Sequence, residues 1–538
     1  MKRNLTRSLL YFFPRTVLFL TILLAPLSFM VFKSVTFDEV SHLPAGYSYW
    51  KTWSIRYNQQ HPPLIKELCA LPLLLLGFEG PETLPESEWV YGRQFLFGNS
   101  IDANDALFWG RLPVILLSVA LGFLVMTWSE NLWGKSAGLL ALCLYAFDPT
   151  ITAHSQVVTT DVGVAFFATL YLFQLRAYLK NPSNFRLITA SVALGFALGS
   201  KFSAIVLFPI SVCLIFIDLQ YEAKGTEHTL ESSHPLGRQV NWKKLVLRLV
   251  WRMTFISVVA STVVWLLYFC PLDPWFYLKG IWSVHRDHPS NSFYYLMGTL
   301  QPGNRKYYLL IAWLIKTPLP SLILLIIAIW LCFRGKRAAR IEEAFLLLPS
   351  IGFMLFYSFL GDNIGVRYLI PCFPFLFIFA ARICSSAIRD RVYRIVVVAL
   401  LVWHVAEWLS ISPDHLSYFN QIAGGATKGV DWLDNSNVDW GQGLFQLRDF
   451  LHREQINDFA FFYFGTGDPA YYGIHGRRIE DFTFMLHPTY GTLVLSAHAI
   501  PRTRDILYRV FGDGRSNWLL HLKPRAIVGH SYFIYDIR

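Results

Sequence analysis

Apolar runs of about the length a bilayer requires, roughly 17 to 25 residues, recur at 15–33, 111–128, 135–152, 161–178, 186–200, 202–219, 247–270, 312–333, 342–360, 367–383 and 394–411. Polar connections separate them, and the pattern predicts eleven membrane-spanning helices. One further apolar stretch, PPLIKELCALPLLLLGF at 62–78, is read differently. Were it to cross, every later loop would change sides, and the basic cluster RGKRAAR at 334–340 would face outward, against the bias that keeps Lys and Arg inside. It is expected to lie in the membrane interface as an amphipathic or re-entrant helix, with Lys66 and Glu67 turned to water. From about 412 the pattern changes. GGATKGVDWLDNSNVDWGQG is rich in turn formers, and short alternating runs follow (DFAFFYFG, TLVLSAHA, PRAIVGHSYFIYDI), which predicts a soluble α/β domain.

Composition strengthens this reading. Hydrophobic residues are 54% of the 538 and charged residues 15%, too apolar for a soluble chain of this length. The net charge of +11 falls in short clusters between apolar runs, RGKRAAR and then RDRVYR at 389–394. That spacing orients a chain in a membrane, and nucleic acid is set aside as a partner. Of seven Cys, none lies in 412–538, so no disulfide framework is indicated. The N-terminus begins with charge but lacks a small-residue cleavage site, and reads as an uncleaved signal anchor that stays inside. The expected organisation is a polytopic all-α membrane domain over 1–411 with a large first external loop, 34–110, and an extracytoplasmic α/β domain over 412–538.

In this topology the ionisable residues gather at the external face. TFDEVSHLPAG, 36–46, places Asp38 and Glu39 just beyond the first span; the same loop holds His42, Arg56, His61 and Arg93. Other external segments add His154, Asp161, Lys201, His285, Arg286, Asp287, His288 and Arg367. A carboxylate able to take a proton, among cations able to hold phosphate, is what general-base attack on a phosphorylated lipid requires. Each residue also has a plainer use. Asp38 and Glu39 suit a helix end, Lys201 a snorkelling position, Asp161 a helix N-terminus, and Arg367 an interface anchor. HRDH at 285–288 offers His285, Asp287 and His288 as weak metal ligands, but no second cluster at ligand spacing accompanies them. No divalent metal or other cofactor is expected to be required, and Arg286 is assigned to phosphate or sugar binding.

FDE at 37–39, HPPLIKE at 61–67, GRLP at 110–113, HSQVVTTD at 154–161 and GVRYLIPCFPF at 365–375, in this order, resemble the GT-C class of glycosyltransferases. Within it the similarity is to the protein O-mannosyltransferase-like family 39, whose relatives include the lipid A aminoarabinose transferases. The resemblance spans about residues 35–375. It implies a multispan enzyme of the plasma (inner) membrane, working among membrane lipids, that moves a sugar from a polyprenyl-phosphate carrier to an acceptor hydroxyl on a protein, glycan or lipid. Transfer would occur at the external face with inversion. Asp38 would be the base, Glu39 its orienting neighbour, and Arg111 a ligand of the donor phosphate; Lys201, Arg367, Arg286, His61, His154 and Asp161 complete the candidate donor and substrate set. VDWLDNSNVDWGQG superficially resembles the WWDYG sequence of oligosaccharyltransferases but has no Trp-Trp pair, and Asn follows Asp434. It is read as a turn-rich approach to the tail domain, with acceptor binding as the second reading. A transporter or flippase of lipid-linked or small solutes is the alternative function. Ionisable residues concentrated at one face, a large tail and no inverted repeat weigh against it.

Overall fold

The computed structural model describes residues 2–228, 241–287, 292–334, 340–384, 391–488, 491–514 and 516–537. All eleven apolar segments fold as helices, in three forms. Seven helices among the described residues are long and apolar enough to cross a membrane: Phe12–Phe32, Ala103–Trp133, Asp161–Lys180, Phe202–Tyr221, Trp242–Leu267, Ile341–Leu360 and Arg391–Ile411. Two more segments are bent pairs, Lys135–Ala146 with Pro149–Ser155 at 63° and Tyr308–Lys316 with Leu319–Arg334 at 111°. The remaining two are shorter: Asn184–Ser200, of 17 residues, and the apolar Val366–Ala380. The protein is an integral membrane protein. Of the basic clusters used for orientation, 335–339 and 385–390 lie outside the described residues.

The breaks have local causes. Pro149 lacks an amide hydrogen and restarts a helix at its first position, where the Asp148 carboxylate accepts from the Ile151 amide at 2.9 Å. Thr317 precedes a proline and is extended (φ −95, ψ 132), which ends the helix Tyr308–Lys316.

The first loop is a packed subdomain of three helices, Glu39–Thr52, Leu64–Leu75 and Glu88–Phe97. Glycines let Glu39–Thr52 sit against its neighbours: a Cβ on Gly46 would lie 2.0 Å from the Lys66 carbonyl oxygen, and one on Gly92 1.8 Å from that of Val40. Lys66 and Glu67 do not face water. They are 1% and 4% exposed, and the Lys66 ammonium donates to the Tyr49 hydroxyl (2.8 Å), the Asn58 carbonyl (2.7 Å) and the His61 carbonyl (2.7 Å). The loop folds over this lysine, whose stem and four-carbon reach let it tie 58–61 to the helix. Burial pushes Lys66 down to about 7 and Glu67 up to about 8.

The tail forms a five-stranded sheet of β3 (Phe459–Phe462), β4 (Arg477–Arg478), β5 (Gly491–Ser496), β6 (Ala526–Val528) and β7 (Tyr532–Ile537), ordered β4-β3-β5-β7-β6. A separate hairpin, β1 (Phe293–Leu296) and β2 (Thr299–Pro302), stands in the loop before residue 308. β3 runs parallel to β4 and β5, whereas β7 runs antiparallel to β5 and β6. The buried Leu493, Val494 and Leu495 of β5 meet Tyr535, Ile534 and Phe533 across the ladder. Backbone bonds join the tail to the first loop: Ser34 N–H donates to the Gln442 carbonyl (3.1 Å) and Phe37 N–H to that of Trp440 (2.8 Å). The Thr466 hydroxyl donates to the Phe37 carbonyl at 2.6 Å. The segment that leads into Asp38 is thus held by the tail.

Candidate active site

Glu39 and Arg111 form a closed unit. The carboxylate accepts from Nε and Nη2 of Arg111, both at 2.7 Å, from the Thr36 amide (2.9 Å) and hydroxyl (3.0 Å), and from the Val158 amide (2.9 Å). Arg111 donates its remaining bonds to the carbonyls of Met30, Lys33 and Ser34. Burial works to raise the pKa of Glu39, but Arg111 and the donors outweigh it, so the group is held below the ordinary carboxylate value. Neither residue lines the large cavity beside them. Arg111, expected on the donor phosphate, is instead spent on Glu39 and on the loop that presents Asp38, because a fork-shaped cation next to a buried carboxylate is satisfied there.

Asp38 turns the other way, into a cavity of about 540 Å³. Its Oδ2 accepts from Nη1 of Arg367 at 2.7 Å. The same nitrogen lies 3.9 Å from Asp161, which pairs with Lys201 at 2.6 Å. Two carboxylates and two cations therefore alternate as Asp38, Arg367, Asp161 and Lys201. Asp161 is the buried member, 2% exposed in its side chain against 18% for Asp38. Aromatic faces hold the cations: the Arg367 guanidinium lies 4.2 Å from the Trp440 ring centre and the Lys201 ammonium 4.6 Å from that of Tyr368. Burial lowers the Lys201 pKa, yet Asp161 beside it prevails and leaves it above the ordinary value, so the ammonium stays charged. Nε of Arg367 is buried with no hydrogen-bond partner among the described residues. A guanidinium edge left open beside a carboxylate is a place for an anion.

His61 lines the cavity and meets the His42 ring edge-on at 5.0 Å. Burial drives both imidazoles toward neutrality, His42 to about 4 and His61 well below its usual value, with neighbouring cations adding to the effect on His61. His61 is placed to hydrogen-bond, not to pair as a cation. The cavity is also lined by the apolar Phe202, Ile205, Ile281, Val284, Phe356 and Leu360. One cavity thus offers both cations and hydrocarbon.

The remaining expected residues divide. His154 is buried against Trp440, with ring centres 5.9 Å apart, and does not line the cavity. Arg286 is exposed at the end of the helix Phe276–Asp287, whereas its neighbour His285 does line the cavity. The Asp287 side chain and all of His288 lie outside the described residues. Among the described residues no group of three or more His, Cys, Asp or Glu is placed to hold a metal ion. Sequence reasoning missed the part played by the tail. Asp434, Asn435, Trp440, Phe464 and Arg502 all line the cavity. Asp434 accepts from Nε of Arg502 at 2.9 Å; burial pushes its pKa up to about 6 against the pull of that guanidinium. The signal was the stretch VDWLDNSNVDWGQG, whose turns bring Asp434 and Trp440 to the same wall.

Residues 15–278 match the family model of the dolichyl-phosphate-mannose-protein mannosyltransferases. The match covers just under half of the chain, includes Asp38, Glu39, His61, Arg111, Asp161 and Lys201, and bears out the resemblance drawn from the sequence motifs. No curated protein matches the chain. Among solved structures, it is similar to ArnT from Cupriavidus metallidurans bound to undecaprenyl phosphate, at 13% identity over 97% of both chains with a TM-score of 0.47. It is also similar to AglB from Archaeoglobus fulgidus in complex with an inhibitory peptide and a dolichol-phosphate, at 11% identity over 94% of this chain and 72% of that one (TM-score 0.44). The S. cerevisiae Pmt1-Pmt2 complex bound to the sugar donor matches 55% of this chain and 39% of that one at 17% identity (TM-score 0.34). The family match and the apolar helices support a membrane glycosyltransferase.

Proposed function

We propose that the protein transfers a sugar from a polyprenyl-phosphate carrier to an acceptor hydroxyl, with Asp38 as general base, at the external face of the membrane. The observation that carries this reading is the cavity that Asp38, Arg367 and Lys201 line together with a set of apolar side chains. A phosphate on a long hydrocarbon chain suits both kinds of lining at once. Arg367 and Lys201 hold the phosphate, and the apolar side chains receive the first units of the lipid.

The bond between Asp38 and Arg367 gives the step its charge balance. Asp38 removes the proton of the acceptor hydroxyl as its oxygen attacks the anomeric carbon and the bond from that carbon to the phosphate oxygen breaks. Asp38 loses one negative charge, and the departing phosphate gains one. Arg367, next to Asp38 and carrying an open Nε, passes its attraction from the first to the second without moving far. A single displacement of this kind inverts the anomeric carbon. Glu39 and Arg111 set the position of the Asp38 backbone, and Asp161 sets that of Lys201; these are positioning residues.

The test is reconstitution of the purified chain in liposomes with a panel of synthetic decaprenyl-phosphate hexoses and pentoses. Release of decaprenyl phosphate coupled to glycosylation of an added membrane extract supports the reading. A protein that binds none of the lipids and releases none of the phosphate overturns it.

A further inference from the structure

The cavity is also lined by groups of a different kind. Asn363 is 1% exposed and lines the cavity, yet neither its Nδ2 nor its Oδ1 has a hydrogen-bond partner among the described residues. Its surroundings are otherwise well satisfied. The Ser436 hydroxyl donates to the Ile364 carbonyl at 2.8 Å, and the Val366 amide donates to Oδ1 of Asn437 at 2.9 Å. Next to Asn363 in sequence, Asp362 accepts from the Tyr294 hydroxyl at 2.6 Å, and Asp434 is held by Arg502. These groups line the same cavity.

A buried carboxamide with both its groups unmade is costly unless something meets them. It presents a donor and an acceptor side by side in one plane, the match for two neighbouring hydroxyls on a ring. Beside it stand two carboxylates, Asp434 paired with Arg502 and Asp362 bonded to the Tyr294 hydroxyl, so this part of the cavity suits a neutral, hydroxyl-rich group and not a phosphate. Asn363 and Arg367 are four positions apart in the chain, which limits their Cα separation to about 14 Å. A sugar attached to a phosphate at Arg367, or a glycan approaching it, fits within that span.

We propose that Asn363, flanked by the Asp362–Tyr294 and Asp434–Arg502 pairs, is a carbohydrate-reading subsite that binds neighbouring hydroxyls of a sugar ring. The inference rests on the reading that Arg367 and Lys201 hold the donor phosphate. The ring belongs either to the donor sugar or to a glycan acceptor, and the experiment separates the two.

Affinities of the full-length protein are measured for bare decaprenyl phosphate, for the decaprenyl-phosphate sugars, and for a panel of methyl glycosides added with bare decaprenyl phosphate. The parent is expected to prefer one sugar-bearing lipid to the bare lipid. In Asn363→Ala that preference should fall about 10-fold while bare-lipid affinity stays at the parental value; this outcome assigns the subsite to the donor. Retained preference with about 10-fold weaker methyl glycoside binding assigns it to the acceptor. Parental behaviour in both arms overturns the proposal. Because the amide has no partner among the described residues, Asn363→Ala should melt no lower than the parent; a large loss of thermal stability, repeated in Asn363→Ser, would make the residue structural and overturn the proposal as well. A parent that fails to bind even bare decaprenyl phosphate would refute the phosphate reading itself, a result distinct from these.

Discussion

Nη1 of Arg367 lies 2.7 Å from the Asp38 carboxylate and 3.9 Å from that of Asp161, although the three residues come from three distant parts of the chain. Asp38 precedes the helix Glu39–Thr52, Asp161 opens the helix Asp161–Lys180, and Arg367 sits in the turn Val366–Cys372. The two carboxylates differ in company. Asp161 has Lys201 as well as Arg367 beside it, while Asp38, among the described residues, is paired with Arg367 alone and lines the cavity.

Replacement Asp38→Asn tests the role of Asp38 as general base directly. It keeps the size and a hydrogen bond to Arg367 but removes the basic oxygen. Transfer should fall about 10²- to 10⁴-fold, the usual range for a lost general base, with binding of the decaprenyl-phosphate donor little changed. Turnover and donor affinity measured on the same preparation separate the two effects. Parental turnover in the variant would return Asp38 to the role of a helix end.

Arg367 and Lys201 should respond differently to substitution. Arg367→Ala removes a charge-assisted bond to the phosphate worth roughly 1.5 to 3 kcal/mol, and Arg367→Lys should recover only part of it, since an ammonium has no second donor edge. Lys201→Ala also leaves the buried Asp161 with Arg367 alone, at 3.9 Å, and losing the nearer partner of a buried pair costs up to about 3 to 5 kcal/mol. It should therefore lower the melting temperature, whereas the double variant Lys201→Met with Asp161→Asn should recover most of that loss and still bind donor poorly. Equal melting temperatures for the single and double variants would contradict the pairing.

The eleven helical segments and the strands of the tail were legible because membrane and sheet periodicities are local properties. So was the gathering of Asp38, Asp161, Lys201 and Arg367, since all four stand at ends of apolar runs on one predicted side. What the sequence withheld was pairing. Arg111 and Arg367 are equally basic on paper, yet one is saturated by Glu39 and carbonyls and the other keeps an open edge. Lys66 reads as a water-facing residue until Tyr49, Asn58 and His61 fold around it. The contribution of Trp440, Asp434 and Arg502 depends on how the tail docks, which no local pattern encodes.

Glu39 and Arg111 are expected to act on stability. Glu39→Ala or Arg111→Ala leaves an uncompensated buried charge and should each cost about 3 to 5 kcal/mol. The double variant Glu39→Gln with Arg111→Met should cost much less than the sum of the two. Donor affinity per folded molecule in the double variant should stay near the parental value. A specific loss of donor affinity at unchanged stability would put Arg111 back on the phosphate.

His42 makes stability depend on pH. Its pKa is about 4 in the folded chain because of burial, below the ordinary value of 6.5, with Asp38 opposing the shift. Between those values the unfolded chain binds more protons, so stability rises with pH. The contribution is full above about 6.5 and is lost as pH falls toward about 4, at most about 3 kcal/mol. Asp434 and Glu67, both raised, have the opposite slope, so His42 is isolated by comparison with His42→Gln. The melting temperature of the parent relative to that variant should be higher at pH 7.5 than at pH 5. A difference independent of pH would mean that His42 does not titrate on unfolding.

The orientation in the membrane can be read with cysteines. If the site faces outward, Glu86, Lys428 and the native Cys270 are on the outer side, and Asn181, in the connection after Asp161–Lys180, is on the inner side. Cys270 and Cys213 are exposed in the protein, so Cys213 is replaced by Ser to remove its background, while Cys270 is kept as an internal reporter. In intact cells a membrane-impermeant maleimide should label Cys270, Glu86→Cys and Lys428→Cys, and should label Asn181→Cys only after permeabilisation. Glu86 lies just after Leu64–Leu75 and Lys428 in the tail, on opposite sides of all the later spans, so their joint labelling also requires an even number of crossings between them. The seven long helices, the two bent pairs and the two shorter segments include ten after residue 86, and ten single crossings satisfy that condition. Labelling of Glu86→Cys with protection of Lys428→Cys would show that one of the bent or short segments turns back within the membrane, and would place the tail on the side opposite the first loop. That result conflicts with the bonds from Phe37 to Trp440 and from Thr466 to Phe37, so it would overturn the assembled cavity along with the topology.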